Sequence, residues 1–589
     1  MNTTATRHEL KTWKFTLDQT QYGLGAGWAN PEYDDSRWID VESYTSWETY
    51  EAGMFDYEGH GWFRTWVDVE LTPPNSRSVL KFDGVGGVCQ VYVNGKLAGT
   101  NDNRYLPFQI NVTDFVKKGK NLVAVLVDNS HRGMEHLTGG QNIEWVLYGG
   151  LTHKIYLDEQ PACYIEHVRA DAEADGSLTV TAIVNNRNAS RVSKNFVGDL
   201  TVSVKGLKGC AQTLPVELAK TEKVELVFNL QAKNVKTWSP DAPNLYELNV
   251  QLTKEGEDYY AVTEKIGFRT IETCGTKILL NGKEILLKGA NRYDEFAPYG
   301  NCAPEEEIRK EFLEMKKAGL NLIRTHYPQD EIHYRLADEL GLMYMIEVPL
   351  NWWNPKVTDT MADHFTLAAE AVDTLDRTFQ NFCNHPCWTV WSVGNECGHS
   401  HPVCQELFRT LAARMRALKC RRLVTYAANK PLLDSKEMDF VDFLGMNYYS
   451  GVKSENVDDF PAQLHAILEK KMKVAQELYP NIPHVMTEFG YPCVYGIHGS
   501  ETEGRYTEDF GTTFMKAKLP IFMSNKQMKG MIIWCWADYR HRRCFIPAKT
   551  GMGMQATYGP YGLVSIDRKP KKLFLGLMSD FYNNWKVEE

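Results

Sequence analysis

The 589-residue chain predicts a multidomain protein in which two β-sandwiches precede a (β/α)8 barrel. Its length exceeds what one hydrophobic core organises and suggests roughly three or four domains. Short alternating strand-like runs broken by turn signals fill the first half of the chain. After Thr273, strand-length apolar runs alternate with amphipathic helices. The first pattern is typical of antiparallel sandwiches, and the second is typical of a parallel α/β sheet.

Two strand-rich segments precede the change of pattern. Residues 1–158 contain alternating runs at Ser78–Phe82 and Cys89–Val93, and the second run is followed by the hairpin dipeptide Asn94-Gly95. We expect a jelly-roll β-sandwich over residues 1–158. Residues 159–272 alternate again, notably at Leu178–Val184 and Tyr246–Leu252, and their length predicts an immunoglobulin-like sandwich.

Residues 273–589 are expected to form the barrel. Amphipathic helices are predicted at Glu305–Lys317 and Gln405–Leu418. Eight strands within about 320 residues favour a closed barrel, whose catalytic groups lie at the carboxyl ends of the strands. The eight runs are Ile285–Asn291, Leu320–Thr325, Met343–Val348, Thr389–Val393, Leu423–Ala427, Phe443–Tyr448, His484–Glu488 and Met531–Trp536.

The bulk properties exclude several classes of function. A net charge of −10 and a pI near 5.9 argue against a nucleic-acid partner. The sequence contains no run of eighteen apolar residues, so no membrane span is predicted. Its amino terminus lacks a secretory pattern, and its thirteen scattered cysteines are expected to be free thiols. These features predict a cytoplasmic protein.

Two glutamates carry the chemistry. Glu396 follows the fourth run, and Glu488 ends the seventh. Either one alone could cap a helix or pair with an arginine. Strands four and seven face each other across a barrel mouth, and retaining glycoside hydrolysis needs two carboxyl groups roughly 5–5.5 Å apart. The pair therefore predicts an acid/base and a nucleophile.

Five motifs follow one another along the barrel half: Asn291-Arg292-Tyr293-Asp294, Ile323-Arg324-Thr325-His326-Tyr327-Pro328, Glu347-Val348-Pro349, Gly394-Asn395-Glu396 and Thr487-Glu488-Phe489-Gly490. With this ordered set, the chain resembles glycoside hydrolase family 2, the β-galactosidase and β-glucuronidase family, over essentially its whole length. The resemblance implies that the first sandwich is of the sugar-binding kind. The resemblance implies that Glu396 protonates the leaving oxygen and later activates water, while Glu488 forms a covalent glycosyl-enzyme. An exo-acting retaining β-glycosidase is the expected activity.

The resemblance also implies roles for neighbouring residues. Asn395 matches the family asparagine that donates a hydrogen bond to the 2-hydroxyl of the sugar. Tyr448 matches the tyrosine that hydrogen-bonds the nucleophile, although the adjacent Tyr449 fits the place equally well. Each of these side chains could instead serve packing.

Further residues are implied around the sugar. His326 is expected to contact substrate hydroxyls, and Trp534 is expected to form a platform under the ring. Arg292 and Arg324 resemble arginines that orient the catalytic carboxylates. Glu144 matches a first-domain acid that reaches the sugar, and a surface carboxylate is an equal alternative.

The identity of the sugar depends on two short segments. Glucuronidases of the family carry an Asn-X-Lys-Gly stretch that holds the uronate, and here Gly559-Pro560-Tyr561-Gly562 takes its place. Neither glycine nor Tyr561 supplies an ammonium group to pair with a carboxylate. We therefore expect a neutral β-hexoside, with β-galactoside first. The alternative is a uronide read by an arginine of Arg540–Arg543, such as Arg540, although a solvated basic loop would have the same sequence.

Other classes of function remain alternatives. No cofactor and no metal are expected. The galactosidases of the family carry a histidine and an acid where this chain has Tyr293–Glu295, and this difference argues against their Mg2+ site. The cysteines and histidines between Cys383 and His401 have no zinc-site spacing. A carbohydrate-binding protein that has lost activity is the alternative from another class. The expected partner is a small-molecule or oligosaccharide β-glycoside, and the resemblance makes a homo-oligomer plausible.

Overall fold

The computed structural model describes residues 6–70, 76–130, 137, 143–187, 194–356, 359–418, 421–429, 437–450, 460–500, 504–542 and 558–587. Within them, two antiparallel sandwiches precede a closed parallel barrel, and the predicted fold class is confirmed. No helix in these ranges is long and apolar enough to cross a membrane. Every cysteine that the structure describes is a free thiol.

The first domain packs two antiparallel sheets around a core that includes Trp47, Phe63 and Leu80. The predicted hairpin forms between Val88–Val93 and Lys96–Asn101, with positive φ at Asn94 and Gly95, as a two-residue turn requires. In spatial order, the described strands of one sheet are Thr6–Glu9, Ile155–Pro161, Ser76–Phe82 and Phe108–Asn111. Those of the other are Ile39–Glu42, Thr12–Leu17, His60–Val69, Gly119–Asp128, Val88–Val93 and Lys96–Asn101. Short 3-10 helices span Trp47–Thr49 and Ala52–Met54.

The second domain is a sandwich whose strands alternate buried and exposed side chains. Its core includes Val180, Leu200, Phe228 and Val250. The two described sheets are Tyr164–Ala172, Ser177–Asn185 and Lys223–Gln231, and Ala211–Leu218, Phe196–Val204, Tyr246–Lys254 and Glu257–Ile266. Short strands Trp238–Ser239 and Ala242–Pro243 form a pair, and Ile271–Cys274, Lys277–Leu280 and Lys283–Glu284 form a small sheet that leads into the barrel.

The barrel closes through eight described parallel strands, and their side chains are almost all buried, as expected for strands covered by helices. The strands are Leu287–Asn291, Leu322–Thr325, Met343–Glu347, Trp388–Asn395, Leu423–Ala428, Leu444–Asn447, His484–Phe489 and Met528–Ile533. Each coincides with one of the eight predicted runs, although the last begins and ends three residues earlier than expected. Trp534 therefore follows the eighth strand and does not lie within it.

Helices cover the barrel. The predicted helix Glu305–Lys317 has those bounds, and the helix expected at Gln405–Leu418 spans Pro402–Ala417. The others in the described ranges are Glu331–Leu340, Met361–Phe382, Phe460–Leu478, Glu508–Met523 and Lys572–Asn584. Strands Tyr539–Arg540 and Tyr558–Gly559 pair beyond the eighth barrel strand. The expected domain boundaries at residues 158 and 272 fall inside strands Ile155–Pro161 and Ile271–Cys274.

Candidate active site

Glu396 and Glu488 lie where the regular pairing of the barrel strands is interrupted. The fourth strand shifts register between Ser392 and Asn395, and the seventh shifts between Met486 and Phe489. Glu396 itself has a left-handed φ of 50°. Bulges and strained backbone of this kind redirect side chains at functional sites. The interruptions therefore account for two carboxylates that turn into the barrel mouth.

Three side chains donate hydrogen bonds to Glu396. Asn447 Nδ2 lies 2.8 Å from Oε1, while Asn429 Nδ2 at 2.9 Å and the Trp352 indole at 3.1 Å share Oε2. The pKa of Glu396 is raised to about 7. Burial is the largest cause of this rise, the negative charge of Glu488 adds to it, and the three donors oppose it. The surroundings of Glu396 therefore favour its protonated form more than water favours that of an exposed glutamate.

Glu488 has different surroundings. Arg324 Nη1 donates to its Oε1 at 2.7 Å, and the Tyr449 hydroxyl donates to its Oε2 at 2.9 Å. His326 Nε2 lies 3.8 Å from Oε1. The two glutamates therefore have different polar partners: amides and an indole at Glu396, and a guanidinium and a hydroxyl at Glu488.

Arg324 connects the two catalytic strands. Its side chain is fully buried, and its Nη2 donates to Asn395 Oδ1 at 2.9 Å and to Glu347 Oε2 at 2.8 Å. Glu347 Oε1 in turn contacts His326 Nδ1 at 2.7 Å. Arg324 lies where the sequence predicts an orienting arginine, although it contacts Glu488 and not Glu396.

Tyr449, not Tyr448, contacts the carboxylate of Glu488. Adjacent side chains of an extended segment point to opposite sides, so one of the two tyrosines faces away from the mouth. Tyr448 is buried, and the Lys471 amino group lies 4.4 Å from the centre of its ring. The expectation for Tyr448 as the hydrogen-bonding tyrosine is therefore corrected to Tyr449.

Arg292 also differs from its expectation. Its Nε donates to Glu311 Oε2 at 2.8 Å, and its Nη1 lies 3.5 Å from Asp294 Oδ1. The neighbouring Asn291 points into the barrel, where its amide donates to Thr487 O at 3.0 Å and its Oδ1 accepts from Arg324 at 2.8 Å. Strand alternation thus sends Arg292 outward, away from both catalytic carboxylates.

An aromatic wall from two domains lines one side of the site. Trp145 of the first domain stacks on His326, with ring centres 5.5 Å apart and an angle of 14°. Trp534 lies 5.2 Å from the same histidine, and its indole donates to the Tyr539 hydroxyl at 3.2 Å. The structure thus brings His326 and Trp534 together, and their expected contacts with the sugar stay predictions.

Glu144 reaches this wall from the first domain. Its Oε1 accepts from the Tyr539 hydroxyl and lies 3.1 Å from His541 Nε2. Burial alone would raise the pKa of Glu144, but the hydrogen bond and charge of His541 outweigh it, and the pKa is lowered. Glu144 therefore brings a negative charge to the aromatic wall and is not an isolated surface carboxylate.

The arginines expected to read a uronate are paired with glutamates. Arg540 donates from Nε to Glu295 Oε1 at 2.7 Å and also contacts the Tyr148 hydroxyl. Arg542 donates from Nε and Nη2 to the two oxygens of Glu58, each at 2.6 Å. Arg543 lies outside the described residues. Both described guanidinium groups join the barrel to the first domain.

Tyr561 lies beside Tyr449, the tyrosine that contacts Glu488. It is buried, and its ring meets that of Tyr449 edge-on, with centres 6.2 Å apart. Tyr561 therefore borders the tyrosine that contacts Glu488, at the position where the glucuronidase motif would carry lysine.

Three models of one family match the chain in succession. They are the sugar binding domain of glycosyl hydrolases family 2 over residues 9–161, a second domain of that family over 163–269, and its TIM barrel domain over 271–581. The chain belongs to glycosyl hydrolases family 2.

Relatives within family 2 carry two kinds of name. A beta-glucuronidase from Paenibacillus borealis is 25% identical over 563 residues, which cover 90% of this chain and 90% of that protein. A beta-galactosidase from Thermoanaerobacter pseudethanolicus is 29% identical over 392 residues, 64% of this chain and 50% of that protein. The chain thus matches about half the length of that galactosidase.

Solved structures share the family 2 fold. A GH2 beta-galacturonidase from Eisenbergiella tayi bound to galacturonate superposes with a TM-score of 0.83 at 22% identity, covering 99% of this chain and 98% of that one. A b-glucuronidase from Ruminococcus gnavus in complex with D-glucuronic acid gives 0.83 at 21% identity, with the same coverage. These structures share the fold of the whole chain.

Several residues of this family 2 site were not assigned a role from the sequence. Asn291 and Glu347 lie in motifs that carry the family resemblance, and Asn447 precedes the predicted tyrosine Tyr448. These motifs could have pointed to all three residues. Asn429 and Trp352 lie in loops after the fifth and third strands, and nothing in their local sequence marks them as donors to Glu396. Among the described residues, no group of three His, Cys, Asp or Glu side chains could hold a metal ion.

Proposed function

We propose that this chain is a retaining exo-β-glycosidase that cleaves terminal β-hexosides through a covalent glycosyl-enzyme. The observation that carries the proposal is the contrast between two nearby glutamates. Glu396 is buried among neutral donors with a pKa of about 7, while Glu488 is bonded to the Arg324 guanidinium. Carboxyl groups whose environments differ in this way divide into an acid and a nucleophile.

In the first step, Glu488 attacks the anomeric carbon as the bond to the leaving oxygen breaks. Glu396 gives its proton to that oxygen, so the alcohol departs neutral. Formation of the ester neutralises Glu488 and removes the negative charge that had helped to raise the pKa of Glu396. Glu396 is then suited to act as a base.

In the second step, the ionised Glu396 takes a proton from water as the water oxygen attacks the anomeric carbon. The ester bond to Glu488 breaks, and its carboxylate returns to Arg324 and Tyr449. Two displacements at one carbon retain its configuration. Each turnover releases the sugar and the alcohol and consumes one water.

Asn395 is suited to the 2-hydroxyl of the sugar. Its Oδ1 already accepts from Arg324 and Asn447, each at 2.9 Å, which fixes the direction of its amide. Its Nδ2 donates to Asn351 at 2.6 Å, and the amide has a second N–H for a hydroxyl. A hydrogen bond to the 2-hydroxyl that strengthens in the transition state lowers the barrier.

A neutral sugar, with β-galactoside first, suits the charges of this site. Glu144 brings a negative charge to the aromatic wall, while Arg540 and Arg542 are already paired with Glu295 and Glu58. Against the arginines that the structure describes in this segment, a uronate would have to break one of these pairs or lie unpaired beside Glu144. Burying an unpaired carboxylate is costly.

A uronide is the second candidate, and the similarity to the Paenibacillus borealis beta-glucuronidase over 90% of both chains favours it. A panel of p-nitrophenyl β-glycosides with the purified chain separates the candidates. We expect the β-galactoside to give the highest kcat/KM. Faster cleavage of the β-glucuronide or β-galacturonide would reverse this order, and binding without turnover of any sugar would support a carbohydrate-binding protein instead.

Assembly and cofactor requirement form a further part of the proposal. We expect that the chain needs neither a metal nor an organic cofactor, and a homo-oligomer is the assembly that the family resemblance makes plausible. Light scattering after size exclusion measures the assembly, and turnover after treatment with a chelator tests the metal. A monomer, or activity that returns only when a divalent cation is restored, would contradict these expectations.

A further inference from the structure

A buried lysine lies next to Tyr448, the residue that precedes the tyrosine in contact with Glu488. Lys518 belongs to helix Glu508–Met523, and its side chain is fully buried. Its Nζ lies 5.2 Å from the ring centre of Phe514 and 5.4 Å from that of Phe522. Among the described residues it forms no ion pair with a carboxylate, and its Nζ donates to Tyr448 O at 2.8 Å. A carbonyl is therefore the polar partner of this ammonium group.

The Tyr448 backbone lies between two side chains that contact the catalytic glutamates. Its N–H donates to Glu488 O at 2.9 Å. The preceding Asn447 donates to Glu396 Oε1, and the following Tyr449 donates to Glu488 Oε2. A shift of the Tyr448 carbonyl would therefore move the donors of both carboxylates.

Burying a lysine without a carboxylate partner is unfavourable, whereas an apolar side chain would fill the same space at no such cost. The pKa of Lys518 is lowered to about 7, chiefly by burial and also by the nearby charge of Lys471. In either protonation state the amine has an N–H for the Tyr448 carbonyl. The hydrogen bond to the Tyr448 carbonyl therefore explains why a lysine, and not an apolar residue, occupies this position.

We propose that Lys518 is a positioning residue for the catalytic pair, which holds the Tyr448 carbonyl and thereby fixes Asn447 against Glu396 and Tyr449 against Glu488. This inference rests on the proposed function for its kinetic consequence. Its structural part, the placement of Asn447 and Tyr449, does not depend on which bond the protein cleaves.

Lys471 provides a matched control. It is a lysine of helix Phe460–Leu478 that lies beside the same tyrosine, but it faces the ring of Tyr448 and donates to Ser450 Oγ at 2.9 Å. Within the described part of the chain, the Lys471 amino group has no hydrogen bond to the Tyr448 backbone. Loss of Lys471 therefore alters charge and packing near Tyr448 while the carbonyl keeps its donor.

The test compares Lys518→Met with Lys471→Met in the full chain. We expect Lys518→Met to lower kcat by about tenfold to a hundredfold, because small misplacements of catalytic groups are costly, with a smaller change in KM. The alkaline limb of its pH profile should also shift, since Asn447 no longer holds Glu396 firmly. Lys471→Met should keep kcat and the pH profile. Melting temperatures are measured to confirm that both variants fold.

A double variant tests the route of the effect. If Lys518 acts partly through Tyr449, then Lys518→Met should reduce kcat less in the Tyr449→Phe background than in the wild type. An undiminished kcat and an unchanged pH profile in Lys518→Met would overturn the inference. An equal kcat loss in Lys471→Met would also overturn it.

A crystal structure of Lys518→Met separates failure of this inference from failure of the proposed function. We expect Asn447 and Tyr449 to be displaced from the two glutamates. If both side chains keep their positions, the inference is wrong, whatever the activity of the protein. If the wild type cleaves no glycoside, the proposed function fails. The crystal structure of Lys518→Met still shows whether Lys518 holds Asn447 and Tyr449 in place.

Discussion

Arg324 donates to Glu488 at 2.7 Å from a side chain that is fully buried. The same guanidinium donates to Asn395 and Glu347. One planar group therefore holds the proposed nucleophile Glu488, the amide that is proposed to bind the sugar, and the carboxylate that contacts His326. Arginine suits this place because its fork of donors can serve several acceptors at once, whereas lysine presents a single ammonium.

Arg324→Met should therefore abolish most activity. Breaking a buried ion pair leaves uncompensated charges and costs about 3–5 kcal/mol of stability. We also expect kcat to fall steeply, because Glu488 loses the guanidinium that donates to it and holds it in place. Arg292→Met is the matched control, since it breaks the buried pair with Glu311 and should lower stability while kcat is kept. Equal kcat losses in the two variants would contradict the assignment.

The pH dependence of kcat/KM should follow Glu396. Its raised pKa of about 7 means that the acid form is lost as pH rises through that value, so kcat/KM should fall by about tenfold per pH unit above it. Glu396→Gln should lose this alkaline limb along with most activity toward substrates with poor leaving groups. A profile that stays flat to pH 9 would show that Glu396 is not the acid.

The two adjacent tyrosines should behave differently. Tyr449→Phe removes a hydrogen bond to a charged carboxylate and should lower kcat by roughly 10- to 100-fold. Tyr448→Phe keeps the ring that lies beside Lys471 and should have a much smaller effect on kcat. Steady-state kinetics of the two variants on one substrate check the correction of Tyr448 to Tyr449, and the reverse order of losses would restore Tyr448.

Arg540 should support the fold and not the choice of sugar. Arg540→Ala leaves Glu295 without its guanidinium partner at the contact with the first domain, so the melting temperature should fall. The ratio of kcat/KM for the β-galactoside and the β-glucuronide should not change. If the variant selectively loses activity toward the uronide, Arg540 reads the carboxylate, and the sugar assignment must be reversed.

The barrel was predictable because its strands are short apolar runs that alternate with helices, and all eight runs became strands. Glu396 and Glu488 were found for the same reason, since each closes or follows such a run. The choice between Tyr448 and Tyr449 was not predictable, because register shifts beside the seventh strand change which side chain faces the mouth.

Contacts between distant parts of the chain could not be predicted from the sequence either. Arg540 and Glu295 are 245 positions apart, and no local pattern marks them as partners. The outward direction of Arg292 depends on the phase of its strand, which the motif alone does not give. Asn429 and Trp352 come to Glu396 from separate loops, and only the closed barrel brings those loops together.

Trapping of the covalent intermediate tests the central claim most directly. A 2-deoxy-2-fluoro β-galactosyl fluoride should inactivate the chain, because the fluorine slows hydrolysis of the glycosyl-enzyme more than its formation. Mass spectrometry of the digested protein should then place one fluorosugar on the peptide that contains Glu488, and Glu488→Ala should remain unlabelled. A label on another residue, or turnover without a trapped ester and with inversion at the anomeric carbon, would contradict the assignment of Glu488 as the nucleophile.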